Sequence, residues 1–348
     1  MNNKDKNLGF WQKLARRCQK EKRPIMCLAP MSDVTDEAFR QMFVKYGRPD
    51  VLWTEFVSAA GLCSRGYDNM LIDLKFKSNE HPIVAQIFGS NPKHFFKSAQ
   101  ILAKLGFDGI DINMGCPDRK VEKQGAGAAL MKNPKLAQEI ILATKQGAPK
   151  LPVSVKTRIG YYKNEIETWL PALLAAKPAV ITVHGRTRKE MSQVPANWDI
   201  IGRAAEIVKA SKSKTLIIGN GDVVDLADAY QKAERYQLDG IMIGRAAFGN
   251  PWFFRPLSSL AKATADKLNP PLSKRRTITL EDKLKVMAEH AKLFEKLYKN
   301  DKSFNVMKKH FKAYAAGFDG AKELRIKLMK TKTAKEVLQA VKEWQKKA

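Results

Sequence analysis

Cysteine is scarce in this chain. There are four in 348 residues, Cys18, Cys27, Cys63 and Cys116, and no two of them form a C-x-x-C pair. Histidine is nearly as scarce, with five, and none clusters with the thiols. This argues against a zinc site and against a secreted disulfide scaffold, and it fits reduced thiols in a cytoplasm. Long apolar runs are also missing. A membrane span needs roughly 18 apolar residues, and the best stretch, LPALLAAKPAVITV, is broken by Lys177 and Pro178. The first residues, MNNKDKNLGFWQKLARRCQKEKR, are basic but lack the apolar centre of a signal peptide. Acidic residues are few: 35 Asp and Glu stand against 62 Lys and Arg, a net charge of +27. Such a surface repels itself unless it meets polyanions, so nucleic acid is the first candidate partner and an anionic membrane surface the second. A basic surface with no such partner stays open.

What is present is a recurring strand. Short apolar runs begin at Ile25, Val51, Ile83, Gly109, Val153, Val180, Leu216 and Gly240. Each is continuous rather than alternating, as expected for strands covered on both faces. Segments with helical spacing lie between them, such as PKHFFKSAQILAKLG and NPKLAQEIILATKQ. Eight strands alternating with helices predict an α/β fold, a (β/α)8 TIM barrel followed by a smaller all-α helical domain; a doubly wound open sheet is the rival. Polar or glycine-rich motifs follow the apolar runs, at the barrel end where active sites are built. The expected organisation is a basic N-terminal extension over residues 1–24, a catalytic barrel over 25–256 and a basic helical domain over 257–348. The stretch DKLNPPLSKRRTITLED reads as a linker. Thr279 or Glu281 is placed to open the first tail helix and Gly317 to close the second. Residues 257–348 hold 23 Lys and Arg against 10 Asp and Glu, which suits a nucleic-acid platform or a solvated lysine-rich bundle.

The last two strands end in GNGD and GRAAFGNP. Glycines there let backbone N–H groups approach a phosphate, and Arg245 adds a charged fork. Lys156 closes an otherwise apolar strand and needs an anionic partner. A reduced flavin would serve, and so would the carboxylate of Glu55 or Asp111. The residues alone leave three readings open. The chain could be a flavin barrel enzyme acting on RNA, a flavin barrel oxidoreductase acting on a small molecule, or an RNA-binding protein whose barrel is inactive.

LAPMSDVTDEAFR, AQIFG, INMGCPDRKVEKQGAGAALM, VKTRIG, VHGRTR, IGNGD and MIGRAAFGNPW, in that order, resemble the tRNA-dihydrouridine synthase family over residues 25 to about 255. The resemblance implies an FMN cofactor, NADPH as the electron donor and tRNA as the partner; apart from it, the expectation is no membrane, no metal and a monomeric chain. It implies that Pro30, Met31 and Ser32 line the FMN, and that Gln86, Lys156 and His184 contact its ring system. Asn220, Gly221, Asp222, Gly244 and Arg245 would hold the ribityl phosphate end. Asn113 and Arg158 would face the target uracil. Family members carry a small pair after Pro-Met, where this chain has Ser32-Asp33.

Cys116 stands in the N-x-G-C-P segment at the mouth of the fourth strand. Reducing the C5=C6 bond of a uracil needs a hydride at C6, which reduced FMN can deliver, and a proton at C5 from the opposite face. A thiol with a reference pKa of about 8.5 is protonated at neutral pH yet acidic enough to donate. Cys116 is therefore the expected catalytic acid, with Gly125 and Gly127 expected to let its loop open and close. Cys27 and Cys63 read as core residues and Cys18 as a surface one. A uridine stacked inside tRNA must be extruded at a cost of a few kcal/mol, which basic contacts to the phosphate backbone can offset.

Overall fold

The structure, a computed structural model, describes residues 9–255, 278–299 and 301–346. The expected linker lies outside the described residues as far as residue 277. Eight strands are present, β1 (Ile25–Leu28), β2 (Leu52–Ser58), β3 (Ile83–Phe88), β4 (Gly109–Met114), β5 (Val153–Arg158), β6 (Val180–His184), β7 (Leu216–Asn220) and β8 (Gly240–Ile243). They pair in parallel in the order β1-β8-β7-β6-β5-β4-β3-β2. A parallel bridge between Cys27 and Val51 joins the two ends, with Leu28 N–H donating to Val51 O at 3.1 Å. The sheet is thus a closed (β/α)8 barrel, as the eight continuous apolar runs predicted. The strands are buried almost throughout, which explains why their sequences do not alternate.

The intervening helices begin and end where local chemistry directs. Asn91 accepts from Lys93 N–H ahead of Pro92–Leu105, Pro92 occupies the first turn, and Gly106 at φ +88° stops the helix. Ahead of the barrel, the helix Phe10–Lys20 places Trp11, Leu14 and Cys18 on one buried face. They pack with Ile25, Val51, Trp53, Val84 and Val180, near the strand starts, and Phe10 lies against Gly109. Cys18, expected at the surface, is 2% exposed because it belongs to this apolar plug. Cys27 is fully buried as expected, whereas Cys63, expected in the core, is only half-buried.

The described chain divides into two compact units. One comprises the residues up to Met31 together with Asp50–Gly244; the other comprises Ser32–Pro49 together with the residues from Arg245 onward. The second unit is helical: Glu37–Tyr46, Leu280–Tyr298, Met307–Tyr314, Ala321–Leu328 and Ala334–Gln345. Thr279 caps Leu280–Tyr298 reciprocally with Asp282. The next tail helix stops at Tyr314, short of Gly317, which takes φ +78° in the turn beyond. The helix Glu37–Tyr46 comes from the loop after β1, and its buried Phe39, Met42 and Phe43 belong to this unit's core. Phe39 packs against His290 and His310, and Lys45 and Tyr46 both reach Glu289.

His290 and His310 are both fully buried, with ring centroids 4.6 Å apart. Nε2 of His290 and both ring nitrogens of His310 have no hydrogen-bond partner among the described residues. Burial holds both imidazoles neutral, His290 well below its usual range and His310 at about 3. Both groups bind protons more readily in the unfolded chain, so their contribution to stability is complete above the unfolded pKa of 6.5 and is lost as pH falls toward 3. Melting of the second unit is expected to be flat above that point and to lose about 1.4 kcal/mol per pH unit per histidine below it. Thermal unfolding across pH 4–8 checks this, and His310→Phe is expected to make the acid limb shallower.

Candidate active site

Strand register builds the site. Residues two apart on a strand share a face, so Asp111 and Asn113 point the same way on β4, as do Ser154, Lys156 and Arg158 on β5. Cross-strand pairing sets Gln86 beside Asp111, Asn113 beside Lys156, Arg158 beside His184 and His184 beside Asn220. Polar side chains from β3 to β7 therefore meet at the C-terminal ends of neighbouring strands.

Lys156 is the centre of this group. Its Nζ donates to Asn220 Oδ1 at 3.1 Å, and Asn220 Nδ2 is fixed by donating to Met242 O at 2.8 Å. Lys156 forms no ion pair among the described residues, so neither Glu55 nor Asp111 is its salt-bridge partner. Desolvation lowers its pKa to about 8, and the neighbouring Arg158 adds to the shift. Arg158, 8% exposed, donates only to backbone carbonyls: Nε to Gly115 O at 2.7 Å, and Nη1 to Thr187 O at 3.1 Å and Met191 O at 2.8 Å. Its Nη2 has no partner among the described residues. Burial lowers its pKa to about 10, so it stays charged at neutral pH. Half-buried Lys156 and buried Arg158 thus have no carboxylate in direct contact among the described residues, although Asp111 acts on Lys156 and Glu190 on Arg158 at longer range, and such a pair can take an anionic ligand.

The remaining expected residues fall as follows. Pro30 is buried, and Met31 is half-buried beside Gly244, its Sδ 3.6 Å from where a Cβ on that glycine would stand. Ser32 and Arg245 are exposed and belong to the second unit. His184 Nε2 lies 3.0 Å from Arg186 Nη1. Asp222 pairs with Arg186 Nη2 and accepts from Ala196 N–H at 2.8 Å. Gly221 takes φ +130°, and a Cβ there would stand 2.6 Å from Ala196 Cβ and 3.2 Å from His184 Cδ2. Only glycine fits that close approach. Gln86, wholly buried, donates from Nε2 to Asp111 Oδ2 at 2.6 Å and accepts at Oε1 from Asn113 Nδ2 at 3.0 Å. Asn113 Oδ1 accepts from the N–H groups of Gly115 and Cys116 at 3.1 and 2.9 Å.

The loop that carries Cys116 is tied down. Arg188 pairs bidentately with Glu122, and its N–H donates to Gly160 O at 2.9 Å, which joins the loops after β4, β5 and β6. Cys116 is half-buried, and burial raises its thiol pKa, so the thiol carries its proton at neutral pH. Gly127, expected as part of a hinge, is buried: at φ +61°, a Cβ on it would stand 2.8 Å from Cys116 O and 3.2 Å from Cys116 Cβ. Its role here is close packing against the thiol's own backbone. Sequence reading gave no role to Arg186, although its two-residue spacing from His184 marks it as sharing that face. It considered Asp111 only as a partner for Lys156. Asp111 is 1% exposed; desolvation raises its pKa to about 6 against the hydrogen bonds from Gln86 and Ser154.

The fold and rim define a class: a (β/α)8-barrel protein whose strand ends gather a cation-rich, hydrogen-bonding cluster beside a protonated thiol. Residues 27–348 match the family described as dihydrouridine synthase. A probable tRNA-dihydrouridine synthase of Staphylococcus aureus (strain Mu50 / ATCC 700699) is 39% identical over 331 residues, covering 94% of this chain and 93% of that protein. A probable tRNA-dihydrouridine synthase 2 of Bacillus subtilis (strain 168) is 40% identical over 333 residues, 94% of each. The chain belongs to the dihydrouridine synthase family and is an enzyme of that family. Among solved structures, a 2-naphthoyl-CoA reductase complex shares the fold at a TM-score of 0.51 and 11% identity, over 66% of this chain and 49% of that one. No described helix is long and apolar enough to cross a membrane. Among the described residues, no group of three or more His, Cys, Asp and Glu could hold a metal ion.

Gly127→Ala is expected to cost about 1–3 kcal/mol, because it forces a side chain into a left-handed conformation against Cys116 O. It should also change how fast the Cys116 thiol is alkylated. Thermal unfolding and peptide-resolved labelling with iodoacetamide check both outcomes.

Proposed function

We propose that this chain reduces uridine in tRNA to 5,6-dihydrouridine, with FMN as its resident cofactor and NADPH as the electron donor, as a cytoplasmic monomer. The observation that carries this reading is a pair of cations in direct contact with no carboxylate among the described residues, half-buried Lys156 and buried Arg158, beside a protonated Cys116. The donor set fits FMN. Lys156 offers a positive charge to an anionic ring, and Gln86 and His184 offer hydrogen-bonding edges. Gly221, Gly244 and Asn220, with Arg245 and Asp222, are the proposed phosphate-end residues, and Pro30, Met31 and Ser32 the proposed lining. Bound there, reduced FMN supplies a hydride.

The chain's own residues do the rest. Cys116 supplies the proton to C5 of the uracil, since burial keeps its thiol protonated. Asn113 holds the loop that presents that thiol. Arg158, with Nη2 left over from its described contacts, is the proposed contact to the uracil carbonyl edge, and its three backbone partners keep it from swinging away. The basic second unit supplies phosphate contacts. Residues 257–348 carry 13 more basic than acidic residues, a surplus that a small-molecule substrate would leave without a role. Each neutralised phosphate releases counterion, so affinity for tRNA is expected to fall steeply with salt.

In the direct test, Cys116→Ala retains flavin and is reduced by NADPH at the normal rate, while single-turnover reduction of tRNA uridine slows by about 10²-fold or more. Near-normal turnover would remove Cys116 from the chemistry. For Lys156, protonation favours an anionic ligand, and the amine loses its proton as pH rises through about 8. Reduced-flavin affinity is therefore expected to drop across that range in the native protein and to stay level in Lys156→Arg, as read by equilibrium titration of apoprotein. Charge reversal of tail lysines should flatten the salt dependence of tRNA binding without altering the flavin spectrum. These variants are a sounder test than truncation at Pro256, because Phe39, Met42 and Phe43 would then lose the helices they pack against.

A further inference from the structure

Asp111 has no role in the reading above, yet it stands at the root of a connected set of hydrogen bonds. It is an ionised acceptor above a pH of about 6, buried to 1% exposure on β4. Ser154 Oγ donates to its Oδ1 at 2.5 Å and Gln86 Nε2 to its Oδ2 at 2.6 Å. With Nε2 turned to Asp111, Gln86 must present Oε1 on its other side, where Asn113 Nδ2 donates at 3.0 Å. Asn113 must then present Oδ1, which takes the N–H groups of Gly115 and Cys116.

The chain of hydrogen bonds has one direction only. A carboxylate at one end can only accept, and two backbone N–H groups at the other can only donate. The two amides between them fit in a single orientation each. All three side chains are buried, Gln86 fully and Asn113 to 7% exposure, so a reversed amide would leave like groups facing each other with no water to intervene.

We propose that Asp111 is a positioning residue. Through Gln86 and Asn113 it fixes the direction of a hydrogen-bond chain that ends on the backbone of Gly115 and Cys116, and so sets where the Cys116 thiol stands. The proposal rests on the reading of Cys116 as the proton donor only in its consequence for turnover; the effect on the thiol's placement is independent of it.

The test is a directional swap. Gln86→Glu sets two acceptors against each other at Asp111 and is expected to lower single-turnover reduction about tenfold or more, the scale of a misplaced reacting group. It should also change the alkylation rate of Cys116, read on its own peptide by mass spectrometry, by at least about twofold. In the double variant, which combines Asp111→Asn with Gln86→Glu, the new amide keeps its oxygen toward Ser154. It donates its N–H to the carboxylate introduced at position 86, whose other oxygen accepts from Asn113. Cys116 labelling is expected to return toward its native rate. Asn113→Ala, which leaves Asp111 and Gln86 paired, should shift Cys116 labelling and not recover with Asp111→Asn.

Flavin content and melting temperature are followed in every variant, because a role confined to stability or to cofactor retention would not be rescued in this pairwise pattern. If Gln86→Glu does not fold, recovery of folding and native labelling in the double variant supports the same chain. A folded, flavin-loaded double variant whose Cys116 labelling stays as altered as in Gln86→Glu overturns the proposal, as does native labelling in Asn113→Ala. If labelling follows the swap while Cys116→Ala turns over normally, the relay stands and the reading of Cys116 as proton donor fails.

Discussion

The site depends on parity within a closed parallel sheet. Each strand has only two faces, and closure commits one of them to the barrel interior. Ile110 and Ile112 face away from it and pack, while Asp111 and Asn113 face in; β5 does the same with Val153 and Val155 against Ser154, Lys156 and Arg158. A slip of one residue on β4 would turn both polar residues of that strand outward and bring isoleucines to the mouth. The register that seals the core is the same register that assembles the chemistry, so the protein cannot lose one and keep the other.

Charge at this mouth is left unbalanced where it matters. Asp222 is matched by Arg186 and Glu122 by Arg188, so these acids do not compete for Lys156 or Arg158. Amides and backbone carbonyls make the direct contacts to the two central cations, and Asp111 acts on Lys156 only at longer range. An amide orients a cation without cancelling its charge, which leaves the field available to an incoming anion. The loop bearing Cys116 is pinned from three sides, by Asn113, Arg158 and Gly127, and the arrangement is one of preorganisation rather than of a loose lid.

The second unit draws one helix from the first part of the chain. Glu37–Tyr46 follows β1 in sequence yet shares a core with residues more than two hundred positions later, through Phe39, Phe43, His290 and His310. Its buried histidines, held neutral by desolvation, set an acid limit on that core.

Sequence alone determined the number of strands, their starts to within a residue, the polar residues that end them and the uneven spread of charge. Continuous apolar runs mark doubly covered strands whatever their partners, and formal charge needs no coordinates. Cys116 drew attention in the sequence because a thiol beside a proline in a polar loop has no evident core to serve. Only the tertiary structure decided that Lys156 meets an amide and not Glu55 or Asp111, that Cys18 is buried and Cys63 half-exposed, and that Arg158 is anchored on carbonyls of two loops. It also decided that Asp111 is linked to Cys116 through Gln86 and Asn113. Those outcomes rest on which side chains from different strands come within about 3 Å of one another, and register and loop packing set that distance after the strands have closed.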